Sequence, residues 1–428
     1  MKVTCIINAA FVLLLGFAVA AAEGELSLED CVRIAINNSH RIAIAKAGLT
    51  KAELNLKDSK AGYWPKLYLE GGYGLNNIYD RLEWTQDHYD LSVSLSETLY
   101  DNGKTLAQVK KSEANLTSQR ESYRITETQL VLTVIERYCD LLLATELLKL
   151  NRESLQQKRR HLELAETRFN LGLAPRSDML KAKVEVAGAE LALLQAENDL
   201  EIARAELNNS MGLDLDRPTK VKGAAFTEEE PPGFDECLTA ALKNRPEVGQ
   251  TEANLMIRKW DLNLAKRERL PSLTLRGSYN INADRFAFSG VPLNPQNWRE
   301  NTPWRVDMVL SFPIFDAGLT KRAVTKTELN LEEAEMNHSQ LKKEITLEVG
   351  KAHLNLIASV KRIQLTGEQE RSAQESYDAT EGRYKAGVAP ITEVIDAGVA
   401  LSNSKVNRAQ AIYNYLVAEA KLDKAMGK

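Results

Sequence analysis

The chain has 428 residues, 55 Lys plus Arg against 59 Asp plus Glu, 44% hydrophobic and 27% charged residues, with 12 Pro, 23 Gly and 4 Cys. That balance excludes a disordered, collagen-like or disulfide-scaffold chain, and a net charge of −4 gives no electrostatic reason to expect nucleic acid as a partner. The prolines are unevenly placed: none falls between Pro65 and Pro175, and none between Pro313 and Pro390.

In chain order, Met1-Lys2 precedes an apolar stretch from Ala9 to Val19, and Ala20-Ala21-Ala22 offers a small-residue cleavage site, so residues 1–22 read as a secretory signal peptide. Cys5 lies ahead of the apolar stretch and Cys31 inside the first predicted helix, so no lipid-anchor cysteine is expected. Beyond the signal no stretch reaches the roughly 20 apolar residues of a membrane helix. The richest, Leu130 to Leu148, carries Glu136, Arg137, Asp140 and Glu146. Any membrane crossing must therefore be made by strands.

The next elements occur twice. Asp30-Cys31 and Glu236-Cys237 correspond at an offset of 206, which also pairs Ala35 with Ala241, Pro65 with Pro271, Gly71 with Gly277 and Tyr73 with Tyr279. An offset of 215 pairs Asp101 with Asp316, Gly103 with Gly318, Arg168 with Arg383, Gly172 with Gly387, Pro175 with Pro390 and Met211-Gly212 with Met426-Gly427. The change of offset places one net insertion of nine residues in the second copy, in the loop around Ala283 to Pro303. Two tandem repeats follow, 23–217 and 234–428, joined by a linker at 218–233.

Each repeat reads short helix, medium helix, strand hairpin, very long helix, turn, long helix. Strands are predicted over about 66–76, 88–99, 272–282 and 304–314, because Leu67, Leu69, Tyr73 and Leu75 alternate with Tyr68, Glu70 and Asn76, and Leu273, Leu275, Tyr279 and Ile281 alternate with Thr274, Arg276, Ser278 and Asn280. Strands of about 11 residues with one apolar and one polar face fit either a half-buried soluble sheet or an outer-membrane barrel. Trp64, Trp84, Trp298 and Trp304 border these strands, as an interfacial aromatic belt would. Four strands cannot close a barrel and open edges are not tolerated in lipid, so chains must pool strands: two copies would give eight, three would give twelve and room for a channel. The adopted reading is a homotrimer contacting outer-membrane lipid, with Glu70, Asp90, Arg276, Arg305 and Asp307 as candidate lumen residues.

The long helices are predicted at about 104–171, 177–210, 319–386 and 392–426. Lys104 to Leu171 holds neither Pro nor Gly, and at about 1.5 Å per residue it makes a rod of about 100 Å with interleaved charged and apolar positions suited to coiled-coil packing. Gly172 and Gly387 suit left-handed helix C-caps, and Ser177 and Thr392 suit N-caps of the helices that follow. Cys31 and Cys237, at equivalent positions, read as small buried residues along with Cys139.

With the repeat, strands and turns in view, the chain resembles the TolC family of outer-membrane efflux and secretion proteins over essentially its whole mature length. The resemblance is carried by Leu26-Ser27-Leu28-Glu29-Asp30-Cys31, Trp64-Pro65-Lys66-Leu67, Leu99-Tyr100-Asp101-Asn102-Gly103 with Ile314-Phe315-Asp316-Ala317-Gly318, and the turns at Arg168-Phe169 and Arg383-Tyr384. It implies a mainly α fold with a membrane β-barrel portion: a trimer sharing a twelve-stranded barrel and an α-helical periplasmic tunnel. It also implies partners, a periplasmic adaptor and through it an inner-membrane pump. By the same resemblance Glu393, Asp396, Asp178 and Tyr384 belong to the periplasmic gate and acidic ring, and Arg168, Phe169, Gly172, Leu173, Arg383, Gly387 and Val388 to the adaptor-docking tips. Where the family often has a basic residue two places after the glycine, this chain has Ala389, and Lys181 stands opposite Asp396 in the first repeat.

No catalytic residue, cofactor or metal is expected, because the five histidines have no ligand spacing and neither a phosphate-binding glycine loop nor a nucleophile elbow is present. The competing readings are a periplasmic helical adaptor or scaffold without a pore, which leaves the strand hairpins unexplained, and a trimeric adhesin or stalk, which would show one sustained heptad.

Overall fold

The computed structural model describes residues 25–80, 82–223, 231–287 and 304–428, with the backbone alone over 75–80, 82–89 and 281–287. The predicted signal peptide, Trp298 and most of the predicted insertion loop lie outside the described residues, as does the side chain of Trp84.

The first half runs α1 (Leu28–Asn38), α2 (His40–Ala61), β1 (Lys66–Asp80), β2 (Leu82–Tyr100), α3 (Lys104–Asn170) and α4 (Arg176–Ser210). The second runs α5 (Phe234–Asn244), α6 (Pro246–Arg267), β3 (Ser272–Ala287), β4 (Trp304–Ser311), α7 (Leu319–Lys385) and α8 (Ile391–Met426). α3 and α7 have 67 residues each, about 100 Å of rod. None of the described helices is long and apolar enough to cross a membrane.

The junction from strand to rod is built the same way twice. Asp101 accepts hydrogen bonds from the N–H groups of Gly103 (2.8 Å) and Thr105 (2.6 Å), and Asp316 accepts from Gly318 (2.9 Å) and Thr320 (2.9 Å). These carboxylates satisfy N–H groups that the helix itself leaves unpaired. Gly103 and Gly318 stand at φ +77° and +78°, where a Cβ would be strained.

Three cores hold the halves. One gathers Cys31, Ala35, Val134, Leu141, Leu207 and Met211; a second gathers their repeat equivalents Cys237, Ala241, Val349, Leu356, Leu422 and Met426. Burial is selected at matching positions because each repeat solves the same packing problem. The third lies at the far tip and mixes both hairpins. The three cysteines among the described residues, Cys31, Cys139 and Cys237, are buried free thiols, with Cys31 and Cys237 in separate cores. Burial pushes the Cys31 thiol to about 11 and the Cys139 thiol to about 12, so both stay protonated.

The four strands form one antiparallel sheet in the order β1-β2-β3-β4. β1 and β2 extend past the predicted ends, because a backbone ladder continues through Asn76-Asn77 and Asp87-His88 where side-chain alternation fades. β4 stops at Ser311, short of the predicted end near 314, since Pro313 has no N–H to donate. Ser177 and Thr392 are not N-caps: Pro175 and Pro390 take that place in extended conformation, and their carbonyls accept from Asp178 (3.1 Å) and Glu393 (3.2 Å). Proline's fixed φ sets the entry angle two residues earlier than a hydroxyl cap at Ser177 or Thr392 would.

Candidate conduit and its periplasmic tip

The sheet sorts its side chains cleanly. Register places Leu67 opposite Leu95 and Leu69 opposite Val93, then Val93 opposite Tyr279 and Tyr279 opposite Trp304, with Met308 and Leu310 continuing the same face beside Leu275 and Leu273. In one protomer that apolar face is bare: Leu67, Leu69, Val306, Met308 and Leu310 are each more than half exposed. Trp64 and Trp304, also exposed, stand beside it. Among the side chains described, the exception is Glu97, opposite Leu275 on this face, at the end next to the helices.

The opposite face carries every residue predicted for the lumen. Glu70 aligns with Ser92 and Asn280, Tyr68 with Ser94, Ser278 and Arg305, and Lys66 with Ser96, Arg276 and Asp307. Asp90 faces Gly72, whose missing Cβ leaves room for the carboxylate. Arg276 stands across from Asp307, which Arg305 also approaches at 3.7 Å. A sheet apolar on one side and polar and charged on the other suits a boundary between lipid and water.

At the other end the hairpin turns are Schellman motifs. Leu173 N–H donates to Arg168 O (2.8 Å) and Gly172 N–H to Phe169 O (2.9 Å); Val388 to Arg383 (3.0 Å) and Gly387 to Tyr384 (2.9 Å) repeat the pattern. Gly172 and Gly387 sit at φ +73° and +79° with open space around them. Leu173 and Val388 project into solvent, and Phe169 is also exposed. These predicted docking residues do gather at one end.

The two equivalent arginines behave differently. Arg168 reaches across to the other hairpin, donating from Nη2 to Tyr384 O (2.7 Å) and Lys385 O (3.1 Å), with its guanidinium 4.3 Å from the Tyr384 ring centroid. It thus caps the C-terminal carbonyls of α7 and stacks on its last aromatic residue. Arg383 stays in its own hairpin and pairs with Glu393 (3.1 Å). Glu393 is therefore ion-paired, whereas Asp396, one turn further along, is exposed with no ion pair among the described residues. Asp178 occupies the first turn of α4, next to the Ser177 hydroxyl.

Tyr384 is buried in the tip core with Ala165, Ala182, Tyr377, Ile391, Val394 and Leu401. Burial raises its phenol above the ordinary value. Ala389 is buried too, so no basic side chain reaches out from that position.

Sequence reading missed a cluster just above. His161 Nε2 lies 3.0 Å from the Tyr377 hydroxyl and 3.7 Å from Glu381, with the His161 and Tyr377 rings stacked. Burial lowers the His161 pKa below 6.5, against the pull of Glu381. The Lys385 hydrogen bond holds Glu381 below its ordinary range. No spacing rule reveals this contact, because packing of separate hairpins brings together residues 216 positions apart.

A half-apolar sheet set on two tandem helical hairpins is the protomer plan of an outer-membrane export duct. The chain belongs to the outer membrane efflux protein family, whose model matches residues 31–213 and 237–428. It is 24% identical over 379 residues to outer membrane protein TolC of Escherichia coli K12, covering 87% of this chain and 76% of that protein. It is 23% identical to TolC of Vibrio cholerae, covering 97% and 95% respectively. Among solved structures, the fold is similar to the Campylobacter jejuni CmeC outer membrane channel (TM-score 0.81, 17% identity, 94% of this chain and 85% of that one) and to the outer-membrane channel OprN (TM-score 0.80, 18% identity, 94% and 89%). The protein is thus an outer-membrane efflux channel component whose helical hairpins extend into the periplasm.

Proposed function

We propose that three copies assemble into a passive exit duct, each contributing four strands to a twelve-stranded barrel and two hairpins to a periplasmic tunnel. The observation that carries this reading is the bare apolar face of the sheet, continuous over all four strands and backed by a charged face. A soluble scaffold would cover it, since apolar patches of this extent on soluble proteins mark an interface. Within one copy β1 and β4 are the sheet's open edges, and lipid tolerates neither. Edge pairing between copies removes both.

Substrate passes along Glu70, Asp90, Arg276, Arg305 and Asp307, and the driving energy comes from an inner-membrane pump. The exposed Leu173, Val388 and Phe169, with the two glycine turns, form the surface for a periplasmic adaptor. Arg168 and Tyr384 hold the tips together in the closed duct. Asp396 supplies the acidic charge at the constriction, with Glu393 and Asp178 as weaker contributors.

Membrane fractionation with mass determination in detergent tests the duct. The expected result is recovery in the outer membrane as a species three protomers in mass. Recovery as a soluble periplasmic monomer would overturn the reading. For the adaptor, a photocrosslinker at Val388 should capture a periplasmic helical-hairpin protein; capture of an inner-membrane pump alone would contradict that assignment.

A further inference from the structure

The polar face of the sheet carries charge of both signs, and the repeat shows how the signs were divided. Glu70 shifted by 206 becomes Arg276, and Asp90 shifted by 215 becomes Arg305. Two acids of the first strand hairpin are thus arginines in the second. Because the β2–β3 register sets Ser92 against Asn280 while Glu70 is itself opposite Ser92, the exchanged residues do not face one another across the sheet.

Register gathers the cations instead. Lys66 on β1 and Arg276 on β3 both flank Ser96 on β2, so two strand spacings, about 10 Å, separate their backbones. Arg276 is opposite Asp307, which makes Arg305 its diagonal neighbour on β4, about 7–8 Å away. Between these cations the floor is made of small hydroxyl residues, Ser94, Ser96 and Ser278. Lys66 and Arg276 are exposed with no ion pair among the described residues. Arg305 approaches Asp307 at 3.7 Å with 74% of its side chain exposed, a pair too wet to bind strongly. Three cations against one acid leave each copy's patch with an excess of positive charge.

The acids are too far off to cancel it. Glu70 stands four residues along β1 from Lys66, about 14 Å at 3.4 Å per residue, and Asp90 is opposite Gly72, further still. Both distances exceed the Debye length of about 8 Å at physiological ionic strength. Asp396 lies beyond a rod of about 100 Å and does not reach the patch. A compact anion such as chloride meets one cation at a time. Several linked oxyanion groups engage the Lys66 ammonium and the Arg276 guanidinium together, and the serine hydroxyls donate between them.

We propose that Lys66, Arg276 and Arg305 form a binding station for anionic cargo, molecules that carry clustered oxyanion groups. This rests on the duct proposed above and names its class of cargo. The station lies at the end of the sheet next to the helices, since Lys66 follows Pro65 at the start of β1 and Arg276 follows Ser272 at the start of β3. Cargo leaving the helical tunnel meets it on entering the barrel.

The test is single-channel recording of the full-length protein, its trimeric mass checked in detergent, with inorganic tripolyphosphate added to the chamber that the barrel faces. The expected result is reversible interruption of the current, with an apparent Kd at least about tenfold higher in Lys66→Gln plus Arg276→Gln, which loses two charge-assisted contacts. Lys66→Arg plus Arg276→Lys keeps both charges and should bind within about threefold of the parent. A trimeric, conducting parent that tripolyphosphate does not interrupt overturns the station and leaves the duct standing. So does a neutral variant with the parental Kd, or a charge-preserving variant as weak as the neutral one. A monomeric mass, or no conductance at all, overturns both.

Discussion

The two hairpin tips are built from equivalent residues and do different work. In the first, Arg168 leaves its own helix to cap and stack on the end of α7; in the second, Arg383 folds back onto Glu393. A Schellman turn, an exposed apolar residue and a glycine at positive φ are common to both. Duplication therefore preserved the turn chemistry, which each hairpin needs for itself, and let the contacts between hairpins diverge. The first hairpin supplies the link that holds the tips together and the second supplies the free acid, Asp396.

The largest effect on that comparison should come from the residue both hairpins share. Tyr384→Ala removes a buried ring from the tip core and should destabilise the tip by about 3 kcal/mol or more, read as accelerated hydrogen exchange near residues 377–394 with the other two cores unchanged. Equal loss of protection throughout the rods would contradict a local core. Next, Arg168→Ala deletes two charge-assisted hydrogen bonds and a stacked cation, about 2 kcal/mol together for a half-buried group. Arg383→Ala removes one exposed ion pair worth under about 1 kcal/mol. Trypsin cleavage at the tip should rise clearly for the first and barely for the second.

Acidification should act in the direction set by His161. Its pKa in the folded tip is lowered by burial, so the neutral ring favours the packed state above the ordinary value of 6.5. That contribution is lost as pH falls below 6.5 towards the folded pKa. Spin labels on Leu173→Cys and Val388→Cys should report a broader distance distribution at about pH 5.5 than at about pH 7.5, and His161→Gln should remove the pH dependence. An unchanged distribution in the parent would sink it. The smallest effect distinguishes the acids: Asp396→Asn should reduce cation preference more than Glu393→Gln, because Arg383 already offsets Glu393.

The fold was legible because it depends on local signals repeated twice. Pro65 and Pro271 mark entry to the sheet, Gly172 and Gly387 the tips, and the alternation at Leu67, Leu69 and Tyr73 fixed which residues share a face. Two local details misled. The hydroxyls of Ser177 and Thr392 suggested caps that the preceding prolines made redundant, and β4 ended where Pro313 breaks the ladder. The tip was legible in its turns and opaque in its contacts. Nothing local distinguishes an Arg168 that reaches Tyr384, 216 residues away, from an Arg383 that reaches Glu393 ten residues on. That difference is set by how hairpins pack, which periodicity does not encode.

In the proposed duct Arg168 holds the periplasmic end shut. Single-channel recording in planar bilayers tests it most directly, with the parent protein, Arg168→Ala and Arg383→Ala compared side by side. The expected result is small cation-preferring steps for the parent, clearly larger steps for Arg168→Ala and near-parent steps for Arg383→Ala. Absence of discrete conductance, or Arg168→Ala steps equal to those of the parent, would contradict it.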